Sequence, residues 1–117
     1  MGFATAAKNT MLDALTMDRV RLHSGDPGGA GTNNTIAAFG LTAATFAAAG
    51  SGARALSGDV AFTGGSAAQS VTYFSVWDNN GGSAVYHGSG QITSGDVTAN
   101  ASGEYTLKAT TTTVTIS

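Results

Sequence analysis

Two histidines, six aspartates, one glutamate and no cysteine bound the chemistry open to this 117-residue chain. His23 and His87 each fall in an alternating pattern, with no second histidine, glutamate or cysteine at ligand spacing, so neither is expected to hold a metal. Serines and aspartates are plentiful enough for a Ser-His-Asp arrangement, but no Gly-x-Ser-x-Gly elbow stands between a strand and a helix. "GSGA" and "GSGQ" read as turns. A glycosidase would need two carboxylates from Asp13, Asp18, Asp26, Asp59, Asp78, Asp96 and Glu104, most of which stand beside glycine or asparagine in turn-like sequence. Trp77 with Tyr73 and Tyr86 has the composition of a sugar-binding platform. A single tryptophan at the end of the most apolar stretch reads instead as a core residue.

The stretch "LHSGDPGGAG", Leu22 to Gly31, is the most motif-like. A phosphate-binding loop needs a lysine after its last glycine, and no lysine lies between Lys8 and Lys108. A calcium loop needs several carboxylates along a dozen residues, and Asp26 is alone here. What remains is a tight turn, with Pro27 fixing φ and Gly28 supplying a positive one. The sequence through Asn34 is loop-like, suited to being mobile or to lying on a neighbour. The candidate residues for structural turns and interfaces are therefore His23, Asp26, Pro27, Gly28 and Trp77. No catalytic residue, cofactor or metal is expected.

These residues must be positioned by one domain, since 117 residues suffice for a single core. In residues 3–16, Phe3, Ala7, Met11 and Leu15 recur at four-residue intervals beside Ala14, predicting a helix with that stripe buried and Lys8, Asn9 and Asp13 on the other face. From residue 18 the period changes. Val20 and Leu22 alternate with Arg19, Arg21 and His23, as in a strand with one buried face. A Gly-rich loop over 24–36 follows. Then come short alternating stretches separated by Gly, Ser, Asn and Asp: "TAATFAAA", "GDVAFTGG", "QSVTYFSVWDNNGG", "AVYHGSGQI" and a long threonine-rich strand from Glu104 to Ile116. The run Val71 to Trp77 is apolar on both faces, predicting a central strand, and Asp78 to Gly82 predicts a hairpin turn into Ala84, Val85 and Tyr86. Thr110 to Thr113 is strand-forming and uncharged, so it is expected to be paired, within the fold or with another subunit. The fold expected is mainly β, an antiparallel sandwich or barrel-like domain over 18–117 with one N-terminal helix.

Charged residues make up only 10% of the chain, against about 25% in an ordinary soluble domain, which suits a molecule packed against neighbours. The net charge of −2 and five scattered Lys and Arg leave no basic stripe for nucleic acid. No basic-then-apolar leader opens the sequence and no apolar run approaches membrane-spanning length, so synthesis in a cytoplasm and no membrane association are expected.

The order of these pieces resembles a family of small tailed-bacteriophage virion proteins described as head-decoration, minor tail or tail fibre proteins. The resemblance runs over nearly the whole chain: the N-terminal helix, "LHSGDPG", "ATFAAA", "ARALSGDVAFTG", "VTYFSVWD" with its Gly-rich turn, and "GEYTLKA". Its most specific parts are Leu22 to Gly28 and Val71 to Asp78. In that family an Asn-Glu pair follows the Asp-Pro-Gly turn, whereas here Asn33-Asn34-Thr35 stands with no carboxylate, so no role is carried over for the loop. The resemblance implies a non-enzymatic virion protein, a capsid decoration or cement protein on the major capsid protein lattice, or alternatively a tail or fibre component contacting the host. It implies other virion proteins as partners and a homo-oligomer, with a trimer among the open arrangements.

Overall fold

The computed structural model describes residues 4–14, 17–80, 83–92, 97–108 and 113–115. The fold is mainly β and antiparallel, with one N-terminal helix. The helix α1 (Thr5–Ala14) precedes β1 (Arg19–His23), β2 (Thr42–Ala43), β3 (Ala53–Ala55), β4 (Val60–Phe62), β5 (Tyr73–Asn80), β6 (Ser83–Gln91), β7 (Tyr105–Leu107) and β8 (Thr113–Thr115). Four strands form one sheet in the order β2-β1-β5-β6, and β3 with β8 and β4 with β7 form two-stranded ribbons. One apolar cluster lies between them. It draws Val20 and Leu22 from β1, Phe74 and Val76 from β5, Val60 and Phe62 from β4, Tyr105 and Leu107 from β7, and Leu12 from α1. Phe39 meets Phe62 edge to face at 5.8 Å.

The central strand and hairpin form where the sequence places them. β5 is flanked by β1 and β6, and the ladder with β6 continues to Asn79↔Ala84 and Asn80↔Ser83. Asp78 to Asn80 therefore extend the strand rather than turn it, leaving between the strands Gly81 and Gly82, which lie outside the described residues. The register slips between Val76 and Trp77: Val76 faces Gly88 while Trp77 faces Tyr86, so His87 is the extra residue of a bulge.

Two elements depart from expectation. The expected strand from Glu104 to Ile116 is two separate strands, β7 pairing with β4 and β8 with β3. Thr113 pairs with Ala55, as the uncharged threonine run requires, and residues 110–112 lie outside the described ones. The helix is rotated about its axis from the orientation its apolar stripe predicts: Ala7 and Ala14 are exposed, Met11 is half-buried and Leu12 is buried, while Phe3 and Leu15 lie outside the described residues. The reason is hydrogen bonding. Asn9 Oδ1 accepts from Gly52 N–H at 2.9 Å, Asp13 Oδ1 accepts from Ala49 N–H at 2.8 Å, and Arg54 Nη1 donates to the Leu12 carbonyl at 3.2 Å. The segment over 47–55 needs acceptors for its backbone, and alanine methyl groups offer too little area to outweigh them.

Candidate functional site

The two faces of the four-stranded sheet separate by strand parity. Val20↔Val76 and Leu22↔Phe74 point into the core, while Arg19↔Trp77, Arg21↔Ser75, His23↔Tyr73 and, across β5 and β6, Trp77↔Tyr86 point the other way. By alternation alone this second face belongs to solvent. It is covered instead, because residues 24–36 leave β1, turn and return across it as a strap. Ser24 N–H donates to the Asn34 carbonyl at 2.9 Å and Ile36 N–H to the Leu22 carbonyl at 3.0 Å, closing the strap at its base.

The Asp26-Pro27-Gly28 turn shapes the strap. The Asp26 carboxylate accepts from its own Gly28 N–H at 2.9 Å, and Gly28 adopts φ 76°, where the turn needs a left-handed residue. Pro27 is buried and its carbonyl accepts from Asn33 N–H at 2.9 Å. Gly31, at φ 73°, lies against the Tyr86 ring, which a β-carbon there would strike. The Tyr86 hydroxyl reaches the Gly28 carbonyl at 3.4 Å. The loop expected to be mobile or to lie on a neighbour is thus laid on the molecule's own sheet, since its glycines allow the backbone to approach the aromatic ring closely.

Beneath the strap, His23 and Ser75 are both fully buried. His23 Nδ1 lies 3.0 Å from the Asn33 carbonyl and Nε2 lies 2.7 Å from Ser75 Oγ, which also accepts from Trp77 Nε1–H at 2.7 Å. A carbonyl can only accept, so Nδ1 carries the ring proton. The neutral ring then accepts at Nε2. Every bond in the row is fixed in direction: Trp77 donates to Ser75, Ser75 donates to His23, and His23 donates to the strap. Burial holds the His23 pKa below its ordinary value; the Asn33 carbonyl works against this and the nearby Arg21 charge adds to it.

Trp77 is buried, as expected, but lies outside the core cluster, on the opposite face of the sheet. Its ring is flanked by Tyr86, 5.3 Å between centroids, and by the Arg21 guanidinium at 5.1 Å. The ring lacks the free face that a sugar platform requires. The five residues singled out from sequence all meet in this one assembly. Four others were missed as members of it: Arg21, Asn33, Thr35, whose hydroxyl donates to the Thr32 carbonyl at 2.9 Å, and Ser75. Ser75 carried a signal, being a polar residue in the most apolar strand at the same parity as Trp77.

In distance and direction the Ser75–His23 pair resembles a nucleophile with its base. Its surroundings differ. Among the described residues no carboxylate orients the imidazole; the serine oxygen is engaged by the indole, and both side chains are sealed beneath the strap. Two surface depressions of about 360 Å³ each lie elsewhere. One, beside β4 and β7, is lined by Phe62, Asn100, Glu104 and Lys108. The other holds Asp18 and Asp59, the first 3.7 Å from Arg19 and the second 3.6 Å from Lys108. Among the described residues no three His, Cys, Asp or Glu side chains gather at metal-binding distance, and no helix is long and apolar enough to cross a membrane. Compared with family models, curated proteins and solved structures, the chain matches none.

Proposed function

We propose that this chain is a non-enzymatic structural protein of a tailed-phage particle, a decoration or cement protein that binds the major capsid protein lattice. The observation that carries the proposal is the edge strand β6. Among the described residues it pairs with β5 on one side and has no ladder partner on the other, with β8 lying close to it, and from Ser83 to Gln91 it holds no lysine, arginine, aspartate or glutamate. Folded proteins ordinarily blunt such an edge with charge. The bulge at His87 kinks it, yet Val85 remains 45% exposed, and the opposite edge strand, β2, is only two residues long. An uncharged edge of this length suits main-chain pairing with a neighbouring protein.

Two features support the same reading: the low charge of the whole chain and the closed row of donors and acceptors beneath the strap, where the most reactive side chains brace backbone rather than face a substrate. The resemblance noted above points the same way. A tail or fibre component gripping a host glycan would call on Trp77, whose ring is already flanked by Arg21 and Tyr86.

A cement protein binds the assembled lattice and not the free subunits, so it stabilises the lattice by mass action over many sites. Particles lacking the chain are expected to assemble with normal geometry, to release DNA at a lower temperature than complete ones, and to recover when the purified chain is added back. Depleted particles that are as heat-resistant as complete ones yet fail to adsorb to the host would overturn the cement role in favour of the tail.

A further inference from the structure

We propose that His23 is a pH-sensitive latch: protonation of its Nε2 releases the strap over residues 24–35 from the outer face of the sheet while the core face stays folded. Ser75 has one hydroxyl proton, which it donates to Nε2, and its oxygen accepts from Trp77. When Nε2 gains a proton it becomes a donor aimed at that same oxygen. Ser75 must then turn its own proton away from the ring, in a place where the serine is fully buried. The protonated ring also brings a positive charge into that buried place.

Among the described residues no group facing it compensates. On β1 the nearest charge on this face is Arg21, of the same sign. On β5 the residues of this face are Tyr73, Ser75 and Trp77, and on β6 they are Tyr86 and the bulged His87, none of them acidic. The strap holds one carboxylate, Asp26, which is engaged by Gly28 N–H within its own turn. Opening the strap is the way to return the charged imidazole to water.

The change stays local because residues 24–35 lie on the opposite side of the sheet from the core, which the strap joins only at its last residue, Ile36. The strap is tied down by Asn33 on His23, by the base bond of Ser24, and by Gly31 on Tyr86. Val20, Leu22, Phe74 and Val76, facing the other way, are untouched when those contacts part. The sign follows from linkage. The closed state holds His23 below its free value of about 6.5, so the open state binds the extra proton; closure is undiminished above about pH 6.5 and weakens as the pH falls below it.

Amide hydrogen exchange, corrected for the intrinsic pH dependence of exchange, tests this on the intact chain. The amides of Ser24 and Asn33 are expected to lose protection below about pH 6 by up to tenfold per pH unit, while those of β4 and β7 keep theirs. His23→Gln should make strap protection independent of pH, and His87→Gln should leave the wild-type profile unchanged. Strap protection that holds constant down to pH 5, protection lost together by strap and ribbon, or a profile abolished by His87→Gln would each overturn the proposal. Should His23→Gln fail to fold, the wild-type and His87→Gln profiles decide it alone.

Discussion

The two faces of the four-stranded sheet are built from the same strands, one residue out of step, and they are held by different forces. Val20, Leu22, Phe74 and Val76 are stabilised by area removed from water, a non-directional effect that tolerates small shifts. His23, Ser75 and Trp77 are held by bonds that each have one donor and one acceptor, so the loss of one atom strands its neighbours, and Arg21 lays its charge over the Trp77 ring. The buried polar residues, His23 and Ser75, fall on the second face. Their burial there comes from a loop, not from the core.

Four substitutions would break or sharpen this contrast. The largest effect belongs to the core face: Phe74→Ala should lower unfolding free energy by about 3–5 kcal/mol in denaturant titration, without a selective effect on the strap. Ser75→Ala removes a single oxygen yet leaves the Trp77 N–H and His23 Nε2 unpaired in a buried place. A loss of about 3 kcal/mol is expected, with a shift in the emission of the lone tryptophan; a loss under about 0.5 kcal/mol would mean the row is not bonded as described. Gly31→Ala places a methyl group on the Tyr86 ring at a positive φ and should cost about 2 kcal/mol, with exchange rising in the strap before the ribbons. The smallest effect is at Asp26→Asn, which keeps the acceptor for Gly28 N–H and should change stability by less than about 0.5 kcal/mol. A bound cation lost with Asp26 would contradict the purely structural turn.

Much of this was legible in the sequence, and the failures share a cause. The alternation of Val20 and Leu22, the central β5, the β5–β6 hairpin and the Asp26-Pro27-Gly28 turn follow from local period and turn chemistry. What local pattern could not show was which surface a polar segment covers. Alternation puts His23 beside Arg19 and Arg21 in water, and the return of residues 24–36 buries it; the same parity puts Trp77 on that face, between Arg21 and Tyr86, instead of in the core. The helix failed likewise, because its apolar stripe said nothing of the backbone amides at Ala49 and Gly52 awaiting Asp13 and Asn9.

If the Ser75–His23 pair is a closed brace with every proton in one place, the nitrogen chemical shifts of the His23 ring report it. At neutral pH they should show a neutral imidazole protonated at Nδ1, with Nε2 accepting from Ser75. A ring protonated at Nε2, or an imidazolium persisting at neutral pH, would contradict it.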